Sequence, residues 1–147
     1  MTFKHILVPT DFGDSSNAAL EVAVDLSKKY GASLTLLHTY EIPVYGYPGM
    51  LYAPIDLLTP IQESAQAQSD AALKSLRARV PEAQALLKFG VPAVEIQKAI
   101  EETHADLVVM GTHGRHGVSR ALLGSVAERT VRLSQIPVLT VRGAQVK

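Results

Sequence analysis

Apolar residues fall along this chain in short continuous runs rather than in strict alternation. Phe3 to Val8 is the first run, closing at Pro9 and Asp11, and Ser33 to His38 (SLTLLH) is the second. Ala85 to Phe89, Ala105 to Met110 (ADLVVM) and Pro137 to Val141 (PVLTV) follow. Runs of this kind read as strands covered on both faces, which is the pattern of a parallel sheet. Between them the spacing becomes helical. Leu20, Ala23, Val24 and Leu26 make one apolar face running to Tyr30, with Asp14, Ser15, Ser16 and Asn17 as candidate N-caps and Gly31 as the stop. Ala65, Ala72, Leu73 and Leu76 make a second face; there Thr59 can cap, Pro60 suits the first helical position, Gln62 completes a capping box and Pro81 closes the helix. Pro92 opens a third helix carrying Ile96, Ala99 and Ile100, and a fourth runs from about Ser125 to Leu133.

The alternation of strand and helix predicts an α/β fold: a three-layer, doubly wound, five-stranded parallel sheet with helices on both faces and right-handed crossovers. One stretch breaks the rhythm. Glu41 to Leu58 shows no period and holds Pro43, Pro48, Pro54, Gly46, Gly49, Tyr45, Tyr47 and Tyr52. A loop this long is unusual inside a compact domain, and it reads either as a mobile lid or partner surface, or as a long crossover resting on the body. No repeat, low-complexity tract or linker divides residues 1–147, so a single domain is expected.

Composition narrows the function classes. A chain of 147 residues with 47% hydrophobic content can bury one well-formed core. Its fourteen basic and fourteen acidic residues cancel, so no global field gathers nucleic acid or anionic membrane, and any anion site must be built locally. The lack of cysteine excludes a disulfide framework, a thiol nucleophile and a thiolate metal site. The opening MTFKHILVPTD offers only the apolar run Ile6 to Pro9, too short for a signal peptide, and no stretch approaches the roughly twenty apolar residues of a membrane span. A cytoplasmic location is the expectation.

In an open parallel sheet, ligands collect beyond the carboxyl ends of the strands, near the point where strand order reverses. That rule selects Pro9, Thr10 and Asp11 after the first strand, Thr39 after the second, Gly90 after the third, and Gly111 to Thr130 after the fourth. The last segment concentrates Gly111, Gly114, Gly117 and Gly124, four of the ten glycines, between a buried strand and a helix. Glycines there admit close approach of backbone amides to a ligand, and the N-terminus of the following helix favours an anion such as phosphate. Arg115 adds a forked cationic donor and Ser125 a hydroxyl. The P-loop is excluded because no lysine follows Gly124, and the dinucleotide fingerprint because these glycines follow the fourth strand at a different spacing.

Plainer roles compete for the same residues. Ser125 and Glu128 have capping-box spacing, which would satisfy the helix start without a ligand, and Asp11 can serve simply to open the turn into the first helix. Of the histidines, His5 and His38 fall on strands, His38 packed against the sheet, His104 at a helix end, and His113 with His116 on one turn. No carboxylate or cysteine accompanies that pair at ligand spacing, so no metal site is expected. There is no G-x-S-x-G elbow and no base placed beside Ser125 for nucleophilic catalysis.

Gly111, two residues, Gly114, nine residues, then Gly124 and Ser125 form a longer pattern. Together with GTHGRHG, LLGSVAERT, the opening ILVPTDF and the closing IPVLTVR, it resembles the universal stress proteins, and the likeness runs the whole length. The resemblance implies a Rossmann-like fold of the adenine nucleotide alpha hydrolase type with strand order 3-2-1-4-5, and ATP as ligand, with or without Mg2+. It implies that Pro9, Thr10 and Asp11 line the adenosine pocket, Asp11 accepting from ribose or base, and that the backbone at Thr39 reads the adenine edge. Met110 and Gly111 would flank the ribose. Gly114, Gly124, Ser125 and Val126 would hold phosphates through their amides, with His113 and Arg115 on the connecting turn. Members that keep the complete glycine pattern form the ATP-binding subgroup, and this chain keeps it.

The resemblance also favours a homodimer through the last strand, Pro137 to Val141, whose short apolar edge would be protected by pairing across a twofold axis. The expected function is an ATP-binding regulatory protein of the stress response, in which nucleotide occupancy alters the dimer or a contact with an unidentified protein partner. Nucleic acid binding and membrane insertion are not expected. Hydrolysis should be slow, since no group is identifiable that orients water for in-line attack. Two alternatives stand beside it: a slow adenine-nucleotide hydrolase or nucleotidyl transferase recruiting Asp11, His113 or Arg115, and a ligand-free dimeric interaction module.

Overall fold

The computed structural model describes residues 1–41, 58–113 and 122–143. In chain order the elements are β1 (His5–Thr10), α1 (Asp14–Tyr30), β2 (Ser33–Tyr40), α2 (Leu58–Arg77), β3 (Gln84–Phe89), α3 (Pro92–Thr103), β4 (Leu107–Gly111), α4 (Ser125–Leu133) and β5 (Val138–Val141). The five strands form one parallel sheet in the order β3-β2-β1-β4-β5. Both architecture and strand order are those expected. The order reverses between β1 and β4, because the chain builds outward through β2 and β3 before returning to the other side of β1.

Alternation of side chains across each strand divides the apolar runs into two cores. Ile6, Val8, Leu34, Leu36, Leu107 and Val109 face α1 and α2, meeting Ala19, Ala23, Val24 and Leu76. Leu7, Leu37, Val108 and Met110 face α3 and α4, meeting Ile96, Ala99 and Ala127. Ile6, Leu7 and Val8 are completely buried. Burial of each such side chain contributes about 1.5–3 kcal/mol, which is why the first run is continuous rather than alternating. Continuing the second parity to the strand ends places Pro9, Thr39 and Met110 on the α3/α4 side of the sheet's carboxyl edge.

Several element boundaries differ from those expected. Asp14, Ser15, Ser16 and Asn17 all lie inside α1; Gly13 is its N-cap, in extended conformation at φ −83° and ψ 173°. The side chain of Asp11 draws the chain into the helix early, as described below. Thr59 likewise lies inside α2, which already includes Leu58 and ends at Arg77, ahead of Pro81. β4 begins at Leu107, because the side chain of Asp106 accepts from the Lys4 and His5 amides and its own N–H donates to the His5 carbonyl at 3.0 Å. Thr39 is a residue of β2 rather than of the segment after it. Gly31 ends α1 in the left-handed region at φ 65°, as expected. Residues 42–57, where a lid or long crossover is expected, lie outside the described residues. Among the described residues no helix is long and apolar enough to cross a membrane.

Candidate functional site

The turn after β1 is built by one carboxylate. Asp11 Oδ1 accepts from the Gly13 amide at 2.8 Å and from the Ser16 hydroxyl at 2.7 Å. The first contact, two residues on, is an Asx-turn, and the second fastens it to the first turn of α1. Between them Phe12 holds φ at 62°, a region that bulky side chains seldom occupy and that costs on the order of 1–3 kcal/mol. Its ring packs on His38 with centroids 4.4 Å apart, and His38 Nδ1–H donates to the Thr10 carbonyl at 2.9 Å. His38 therefore packs on the turn that opens α1. Asp11 thus does open the turn into α1, and the same geometry holds it at the carboxyl edge of β1.

The second half comes from the end of β4 and the start of α4. Ser125 is the first helical residue and Gly124 the N-cap, at φ −64° and ψ 163° with no side-chain cap. The capping box expected of Ser125 and Glu128 is accordingly one residue out of register. The first intrahelical bond runs from the Glu128 amide to the Gly124 carbonyl at 2.9 Å, and the Glu128 carboxylate turns to Arg132 instead. The amides of Ser125, Val126 and Ala127 are left without intrahelical acceptors, as at any helix start, and no side chain among the described residues caps them. Gly124 spends its own N–H on the Thr112 carbonyl at 2.6 Å, which pins the helix start to the end of β4.

Gly111 is needed for a reason other than ligand approach. A Cβ there would stand 2.7 Å from the carbonyl carbon of Ser15 and 2.8 Å from Ser15 Oγ. The first turn of α1 crosses β4 at this point, and only glycine leaves it room.

These two halves and α3 enclose a cavity of about 210 Å³ at the reversal of strand order. Ten of the twelve expected site residues line it: Pro9, Thr10 and Asp11 from β1 and its turn, Thr39 from β2, Met110, Gly111 and His113 from β4 and beyond, and Gly124, Ser125 and Val126 from α4. Gly114 and Arg115 lie outside the described residues. The cavity also takes in Ser16, Leu37, Pro92, Ile96, Thr112 and Ala127. Strand parity could have found Leu37, two residues before Thr39, and adjacency could have found Thr112. Pro92 and Ile96 were not accessible that way, because only the crossover brings α3 over the end of β1. Leu37, Ile96, Met110 and Val126 give apolar walls, while Asp11, Ser16 and the α4 terminus supply the polar groups. Such a site suits a ligand with a flat apolar part at one end and an anion at the other.

The family model of the universal stress proteins matches residues 2–142. A universal stress protein of Methanocaldococcus jannaschii is 34% identical over 145 residues, covering 95% of this chain and 82% of that protein. One from Thermus aquaticus is 35% identical over 140 residues, covering 95% and 99%. Among solved structures, MJ0577 of M. jannaschii superposes with a TM-score of 0.80 at 23% identity, covering 99% of this chain and 100% of that one. A universal stress protein in complex with cAMP gives 0.71 at 24% identity, covering 98% and 100%, and one from Archaeoglobus fulgidus in complex with dAMP gives 0.65 at 19%, covering 96% and 99%. At these identities the structural neighbours establish the fold. With the family model spanning nearly the whole chain and relatives above 30% identity along it, the chain belongs to the universal stress protein family.

Proposed function

We propose that this protein binds an adenine nucleotide, ATP foremost, and acts in the cytoplasm as a regulatory stress-response protein whose occupancy alters a dimer or a partner contact. The observation that carries the reading is the cavity itself: apolar walls at the sheet's reversal point, ending on the uncapped N-terminus of α4. Asp11 and the backbone at Thr39 face the adenosine half, packed by Leu37 and Ile96, with Met110 and Gly111 beside the ribose. The amides of Ser125 and Val126 take the phosphates, with His113 close by. The amide of Gly124 already has an acceptor in Thr112, so Gly124 contributes shape rather than a free donor. Gly114 and Arg115 complete the cradle in the family's pattern. Support comes also from relatives of the same fold solved with cAMP and dAMP. Titration calorimetry with ATP, with and without Mg2+, should show one site per chain; no heat of binding in either condition would overturn the proposal. Hydrolysis is expected to be slow, because of the two bases that line the cavity Asp11 already accepts from Gly13 and Ser16, and His113 is tied through Nδ1 to Thr112 Oγ1.

A further inference from the structure

We infer that Ser15, which does not line the cavity, is a positioning residue for its anion half and sets the preference for a phosphorylated ligand over a bare nucleoside. This rests on the nucleotide reading above. Ser15 is 8% exposed, and its hydroxyl is a junction of three elements. It accepts from the Thr112 amide at 3.1 Å, lies 3.5 Å from the His113 amide, and donates to the Val141 carbonyl at 3.2 Å. Thr112 N–H is shared, reaching the same Val141 carbonyl at 2.9 Å, and the Thr112 carbonyl in turn receives the Gly124 amide. One hydroxyl in the first turn of α1 therefore fixes the end of β4, and through Thr112 fixes the residue that caps α4.

Two glycines show that the junction is tight by construction. A Cβ on Gly111 would meet Ser15 at 2.7 Å, and one on Gly143 would lie 3.2 Å from the Ser15 Cα and N. Helix propensity does not call for a hydroxyl there, since alanine is a better helix former. The hydroxyl meets the backbone of Thr112, His113 and Val141, and none of these hydrogen-bond partners belongs to the adenosine half. Asp11 is held by Ser16, and Leu37 and Thr39 by the pairing of β2 with its neighbouring strands. Loss of the Ser15 hydroxyl should thus loosen the phosphate cradle and leave the nucleoside contacts in place.

The test is calorimetric titration of wild type, Ser15→Ala and Ser15→Cys with ATP and, separately, with adenosine, alongside a thermal melt of each variant. In Ser15→Ala, ATP affinity should fall about tenfold, the equivalent of one lost hydrogen bond, while adenosine affinity changes less than twofold. Ser15→Cys puts a larger sulfur, a weaker donor and acceptor, into the same tight junction and should not restore ATP affinity. Equal losses for both ligands, or no loss for ATP, would overturn the inference and leave the nucleotide site standing. Absence of ATP binding by the wild type would overturn both, and the wild-type titration separates the two failures.

Discussion

Individual residues serve different purposes from those their types suggest. Spacing marks Gly111 as part of a phosphate cradle, whereas its hydrogen makes room for the backbone of Ser15. Gly111→Ala should therefore reduce stability, by about 1–3 kcal/mol from overpacking against a backbone that cannot swing aside. A lowered midpoint in urea unfolding, without ligand present, checks this; an unchanged midpoint would show that α1 shifts freely. His5 makes a second case. Its ring bonds Thr35 Oγ1 and Ser33 Oγ, each at 2.8 Å. Burial pushes its pKa below the ordinary 6.5, with nearby Asp106 opposing and His104 adding to the effect. The unfolded chain then binds a proton more readily than the folded one, so this contribution to stability is complete above about pH 6.5 and is lost as pH falls from there toward the lowered value. His5→Asn should flatten that part of the pH-stability curve relative to wild type, read as urea midpoints across about pH 5 to 7.5; an identical slope would refute the assignment.

At the scale of elements, every strand and helix among the described residues was legible, because continuous apolar runs and helical stripes survive whatever the chain packs against. The ends were less so. Asp14 to Asn17, Thr59 and Ser125 are all good capping residues, and each lies inside its helix instead. At α1 the Asx-turn of Asp11 moved the start to Gly13, and at α4 the bond from Gly124 to the Thr112 carbonyl did the same. A competition between side-chain and tertiary hydrogen bonds decided the starts of α1 and α4, and sequence shows only one of the competitors. The one-residue displacement matters for function, because it leaves the Ser125, Val126 and Ala127 amides without the side-chain cap that Ser125 and Glu128 would otherwise have formed.

For the whole molecule, β5 is an edge of the sheet and pairs only with β4 among the described strands. Leu139 in its middle is 39% exposed, and Val131 and Leu133 of α4 are exposed nearby in the chain. A second copy pairing along β5 is the dimer proposed here. Leu139→Lys should then halve the mass seen by light scattering, and a mass equal to that of the wild type would reject this interface.

The sequence by itself determined the fold class, the reversal point and ten of the residues that meet there. Strand parity, strand order and the glycine-serine pattern are properties of the chain's own periodicity and of its family. Only the tertiary structure decided that α3 closes the cavity with Pro92 and Ile96, that Gly111 answers to Ser15, and that the Ser15 hydroxyl outside the pocket ties Thr112 to Val141. Those are contacts between segments as much as 126 positions apart. Their partners are chosen by how elements cross and how closely they pack, a geometry that no local pattern of residues encodes.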